Sequence, residues 1–134
     1  MGFGDFASNS GPGWGDEPDP SEAHLGTWRL VAVVDSGRPV TLGAPVTMTV
    51  TPDGYTVKAG GRTYETGTSR ADRSRVPVES DVMVFDGPRA GQTLRQMTMI
   101  HGDVMIACAG DDRPAQFVSR PGSGHTLSVW LRTS

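Results

Sequence analysis

The chain has 134 residues, a net charge of −3, 18 glycines and 10 prolines. That length supports one domain with a single core, and abundant Gly and Pro suit many short strands joined by tight turns. The weak charge, without a basic stripe carrying interleaved aromatics, excludes a nucleic-acid surface, and no apolar run approaches the length of a membrane span.

Residues 1–23 carry Asp5, Asp16, Glu17, Asp19 and Glu22 and no Lys or Arg. Such a Gly-, Pro- and acid-rich stretch cannot bury enough apolar surface to offset its ordering entropy, so a flexible tail is predicted there, followed by one folded unit over 24–134. Phe3, Phe6 and Trp14 make the tail a candidate lid over the fold or a docking peptide for a protein partner. Gly2-Phe3-Gly4-Asp5-Phe6-Ala7 fits the dinucleotide glycine pattern in letters only, because no strand precedes it. The start lacks the basic and apolar regions of a secretory signal, and a cytoplasmic location is the expectation.

From Trp28 onward the pattern is strand. Trp28–Val34 ends at the turn Asp35-Ser36-Gly37. Val46–Thr51 alternates, with Val46, Met48 and Val50 on one face and threonines on the other, which is the signature of a half-buried strand. Pro52-Asp53-Gly54 turns the chain into Tyr55–Ala59, and Gly60-Gly61 makes a hairpin with Arg62–Gly67. Residues 70–80 read as a polar loop with room for one helical turn. Asp81–Asp86 is a strand, and Gly87-Pro88-Arg89-Ala90-Gly91 a turn. Gln92–Ile100 and Val104–Ala109 form a hairpin around His101-Gly102-Asp103. Pro114–Ser119 reads as a short strand or extended segment, and Thr126–Arg132 is the last strand. About eight strands without a long helical pattern predict an all-β, up-and-down antiparallel barrel. A closed barrel must join its last strand to its first. Trp28 and Arg132 suit that seam, since a guanidinium lies flat on an indole.

Gly26-Thr27-Trp28 with Arg132 resembles the G-x-W and closing-arginine signature of lipocalin and calycin barrels. The whole stretch from Leu25 to Arg132 resembles a small bacterial lipocalin-like domain family, common in planctomycetes and mostly uncharacterised. The resemblance is carried by Leu25–Val31, Asp53–Val57, Asp86-Gly87-Pro88 with Gly91–Leu94, and Gly102-Asp103 leading to Cys108. Arg113–Phe117 and Arg120–Leu127 carry it most specifically. Met97-Thr98-Met99 departs from the family, which often has an aromatic there, and the tail lies outside it. The resemblance implies a lipocalin-like barrel with an interior cavity, and supplies neither a reaction nor a ligand.

The candidate interior is Trp28, Leu30, Val46, Met48, Val50, Leu94, Ile106, Leu127, Val129 and Leu131. Several strands are apolar on both faces, with Met97 and Met99 opposing Ile100. The surplus points either to an outer patch that pairs with a second copy or partner, or to a methionine-lined pocket. Candidate ligand-binding residues are Met48, Tyr55, Tyr64, Met97, Met99, Arg113 and Arg120, the two arginines as carboxylate binders at the barrel mouth. Cys108, the single cysteine, reads as a buried inert thiol. His24, His101 and His125 are too scattered for a metal site, and neither a metal nor a cofactor is expected. Glu65, Glu79, Asp81 and Asp86 are possible rim acids. The leading expectation is binding of a small hydrophobic molecule, with or without a carboxylate, in the barrel interior. The alternatives are a cofactor-independent cyclase or isomerase of a polyketide or polyene in secondary metabolism, and an interaction module docking through its tail.

Overall fold

The computed structural model describes residues 22–134. The predicted tail, apart from Glu22 and Ala23, lies outside the described residues. The strands are β1 (Gly26–Asp35), β2 (Arg38–Pro39), β3 (Val46–Thr51), β4 (Gly54–Ala59), β5 (Arg62–Asp72), β6 (Val78–Asp86), β7 (Thr93–His101), β8 (Val104–Gly110) and β9 (Thr126–Arg132). Each of β3 to β8 pairs antiparallel with the next strand in sequence, and β9 returns to pair with β1. With β1 also on β3, eight strands close into an up-and-down barrel, and the two-residue β2 is an appendage on β1. No helix among the described residues is long and apolar enough to cross a membrane.

Closure is achieved at the seam. Trp28 is fully buried and lies opposite Arg132 on β9 and Met48 on β3. The Arg132 guanidinium carbon stands 4.2 Å from the centre of the indole. Its Nη1 donates to the Leu25 carbonyl at 2.6 Å and its Nη2 to the Ala23 carbonyl. The indole Nε1 donates to the His24 carbonyl at 3.0 Å. One arginine and one tryptophan therefore satisfy three consecutive backbone carbonyls and fold the 23–25 turn against the barrel's lower end. Buried carbonyls left without donors would be costly, so this seam fixes the entry of the chain as well as the closure.

The core fills that lower end. Trp28, Met105 and Trp130 are its buried centre, with Leu30, Val46, Met48, Val50 and Ile100 packed around them. Strand register settles the faces and corrects the sequence expectation. Trp130, not Leu131, lies opposite Leu30 and Met105, so β9 turns Thr126, Ser128, Trp130 and Arg132 inward. Likewise β8 turns Met105, Ala107 and Ala109 inward. Ile106, Leu127, Val129 and Leu131 are on the outer face. The chain's own 111–125 segment crosses this face at Cys108. Cys108, fully buried on the outer face, donates to the Val118 carbonyl at 3.6 Å, and burial pushes its thiol pKa up. Ser119 Oγ accepts from Gly37 N–H and donates to the His125 carbonyl. Of the short strand or extended segment expected at Pro114–Ser119, the strand does not form: the segment is an irregular strap with no strand pairing.

The expected loop at 70–80 is also corrected. β5 runs on to Asp72 and β6 begins at Val78, with Arg70 opposite Asp81 and Ala71 opposite Ser80. The inward residues there, Ser69, Ala71 and Ser80, are small or polar, so the apolar alternation that marks a strand is missing.

At the lower end His24 is held neutral. Arg73 Nη2 stands 3.0 Å from His24 Nε2, and a guanidinium can only donate. The proton therefore sits on Nδ1, which is buried and has no hydrogen-bond partner among the described residues. Burial first, then the Arg73 charge, hold the pKa below its ordinary value of 6.5. The unfolded chain takes up a proton near 6.5, and the folded chain does so only at lower pH. Stability contributed by His24 is thus present above pH 6.5 and lost as pH falls through the folded pKa. Urea midpoints measured from pH 7.5 down to 5 will decrease. In His24→Gln, whose amide oxygen accepts from Arg73 at every pH, the decrease will be smaller. Equal slopes would refute the assignment.

Candidate functional site

The inner face is not uniformly apolar. On the inner face, Gln96 Nε2 donates to Ser80 Oγ at 3.3 Å and Thr98 Oγ1 at 3.1 Å. Trp130 Nε1 donates to Ser128 Oγ at 2.9 Å, so the core indole is tied to this polar tier.

The interior also holds a buried carboxylate. Glu65 points inward from β5, opposite Val57, and is 3% exposed. Arg89, on the β6–β7 turn, meets it side-on: Nε donates to Oε1 at 3.0 Å and Nη2 to Oε2 at 2.9 Å. Tyr55 O–H donates to Oε2 at 2.8 Å. Burial and the Glu65 carboxylate push the Tyr55 pKa far up, so the phenol remains a donor. Two glycines permit the cluster. A Cβ on Gly67 would come within 2.7 Å of the Tyr55 hydroxyl, and one on Gly87 within 2.5 Å of the Tyr64 carbonyl. Gly87 also holds a φ of +112°, which favours glycine. The turn thus lies tight on β5 and delivers Arg89 to Glu65.

Above the cluster is a half-open cavity of about 180 Å³. It is lined by Arg89, Gln92, Asp111 and Thr126, by the apolar Leu94 and Ala109, and by Gly110 and Gly124. Side-on pairing with Glu65 uses Nε and Nη2 of Arg89 and leaves the two N–H groups of Nη1 without an acceptor among the described residues. Thr126 donates to Asp35 Oδ1 at 3.1 Å, so its hydroxyl oxygen can accept. The Glu65–Arg89 pair is neutral as a unit, and Asp35 and Asp111 add negative charge. The cavity therefore offers the Arg89 guanidinium and the Gln92 amide beside the apolar Leu94 and Ala109, and is not a strong anion site.

The sequence-predicted residues are scattered by the fold. Met48 is packed in the lower core, and Tyr55 joins the Glu65 cluster. Tyr64 is on the outer face of β5, 51% exposed. Met97 and Met99 are on the outer face of β7, with Met97 opposite Cys108. Arg113 is occupied outside the barrel. It donates to the Ser80 and Gln96 carbonyls at 2.8 Å each and to Asp81 Oδ1 at 2.6 Å, with Glu79 at 3.5 Å. That contact, joined by Arg95, keeps the Asp81 carboxyl below the usual carboxylate range. Arg120 donates to Gln116 within the strap. Arg113 pins the strap to the wall, Arg120 bonds only within the strap, and neither lines this cavity. Arg89, Gln92 and Thr126 escaped sequence reasoning. An arginine in a Gly-Pro turn carries no sign of a partner 24 residues away.

Among the described residues, no group of three or more His, Cys, Asp or Glu is arranged to hold a metal. His125 Nε2 pairs with Asp112 Oδ1 at 3.1 Å on the outer face. No family model, curated protein or solved structure matches this chain.

Proposed function

We propose that the protein binds a small, mainly apolar molecule carrying an oxygen acceptor, either a carbonyl or a carboxylate. It enters at the upper end of the barrel. The acceptor takes the Nη1 hydrogens of Arg89, and the apolar body rests on Leu94 and Ala109. The carrying observation is the cavity of about 180 Å³ with a pre-oriented guanidinium in its wall. Its size is close to that of a dry engineered cavity that accepts benzene, roughly 150 Å³. That volume suits a single ring. The lipocalin-like resemblance supports the same reading by fold analogy alone. The cyclase reading has less support, because two indoles and Met105 occupy the lower interior where a long substrate would coil.

The test is an amide NMR titration with benzoate, benzamide and cyclohexanone. Saturable shifts are expected at Gly110, Gly124 and Leu94. Ala109→Leu, which extends a larger side chain into the cavity, will abolish them while leaving the rest of the spectrum in place. Shifts that are absent, or that survive in Ala109→Leu, would sink the proposal.

A further inference from the structure

One cation and one anion line the cavity, and they are in different states. Arg89 is neutralised, because Glu65 takes its Nε and Nη2 hydrogens at 3.0 and 2.9 Å. Its Nη1 hydrogens have no acceptor among the described residues, so Arg89 still offers a donor but no net charge. Asp111 is the reverse. It lines the same cavity, is exposed, and has neither an ion-pair nor a hydrogen-bond partner among the described residues.

The neighbouring charges leave Asp111 uncompensated. Asp112 is paired with His125, and Arg95 and Arg113 are both held by Asp81. Arg38 stands opposite Asp35, itself an acid. Two neutral groups complete the polar lining. The Gln92 side-chain amide both donates and accepts, and the Thr126 hydroxyl, which donates to Asp35, can accept.

Three kinds of polar head meet this lining differently. A carboxylate takes the Arg89 hydrogens, but it has no donor for Asp111 and is repelled by it. An ammonium pairs with Asp111, but it has no acceptor for Arg89 and meets a guanidinium. An uncharged carboxamide answers both: its oxygen accepts from Nη1 and its N–H donates to Asp111, and no net charge leaves water. A ketone or an ester fills the donor side alone.

We propose that the molecule bound in this cavity presents an uncharged carboxamide, either a primary amide or a lactam, and that Asp111 selects it over the matching acid. This rests on the cavity being a binding site. Leu94 and Ala109 take the apolar ring that carries the amide. The selection is electrostatic at a partly solvated residue, so it is strongest at low ionic strength and shrinks as salt is added.

The full chain is titrated with benzamide, benzoate and benzylamine at neutral pH and low salt, with the amide signals of Gly110 and Gly124 as the readout. Benzamide will bind more tightly than either charged probe. Its advantage over benzoate will be about fivefold or more, the factor that one like charge about 4 Å away imposes even in water. Asp111→Asn removes the charge and keeps an acceptor oxygen. In that variant benzoate will gain the same factor, benzamide will be nearly unchanged, and the preference will collapse. Benzoate or benzylamine binding as tightly as benzamide, with shifts that Ala109→Leu abolishes, would leave the cavity a binding site and overturn the amide head. An amide preference that persists in Asp111→Asn would overturn the selection by Asp111. No saturable shift with any of the three, or shifts that survive Ala109→Leu, would remove the site itself and this proposal with it.

Discussion

Trp28→Ala will lower the unfolding free energy by on the order of 3–5 kcal/mol, the cost of truncating a large buried aromatic. Small domains hold about 5–15 kcal/mol in total, so much of the barrel's stability goes with one side chain. Three losses combine. The indole leaves a void against Met105 and Trp130. Arg132 loses the ring 4.2 Å beneath its guanidinium. The His24 carbonyl loses its donor. Trp28→Phe separates these, since it keeps an aromatic under the guanidinium and removes the N–H. Its hydrogen-bond share is about 1 kcal/mol. Because Trp28 and Arg132 touch, Trp28→Ala and Arg132→Ala will together cost less than the sum of the two. Urea midpoints of the four variants measure all of this. A Trp28→Ala midpoint equal to the parent's would disprove the seam as the closing device.

That seam was legible because its two partners are unusual residues in informative places: a tryptophan opening the first long strand and an arginine closing the last. β3 was equally readable, since Val46, Met48 and Val50 alternate with threonines against one core. Legibility failed where one face stopped being the apolar one. On β9, Leu127, Val129 and Leu131 outweigh Thr126 and Ser128 in hydropathy, yet register with Leu30 and Met105 puts Trp130 inside. The strap crosses the outer face at Cys108, opposite Leu127, and a strap without strand pairing leaves no periodic trace. On β5 and β6 the inner tier is Ser69, Ala71 and Ser80, and polarity there disguised two strands as a loop. The cavity was the least legible part. It depends on the Gly87 turn lying against β5, a contact that brings Arg89 to Glu65 and that no local pattern encodes.

The Glu65–Arg89 pair carries the second large effect. Arg89→Ala leaves a carboxylate that is 3% exposed with only the Tyr55 hydroxyl as partner. Breaking a fully buried ion pair from one side costs 3–5 kcal/mol. The Arg89 side chain is about half exposed, so water enters its place and the loss will be nearer 2–3 kcal/mol. Removing the charge as well reverses most of it. In Glu65→Leu/Arg89→Ala no ion is buried, and the residual cost is the unpaired Tyr55 O–H, about 1 kcal/mol. The double variant is therefore expected to be more stable than Arg89→Ala alone, which a cycle of urea midpoints will read directly. A double variant less stable than either single one would mean that the pair stabilises the barrel outright and does not merely compensate a buried charge. The same reasoning fixes how binding must be probed. Arg89→Ala removes the proposed donor and also unsettles β5, so a lost ligand signal there has two explanations. Ala109→Leu blocks the cavity from a lining residue outside the ion pair, and loss of binding in that variant has one.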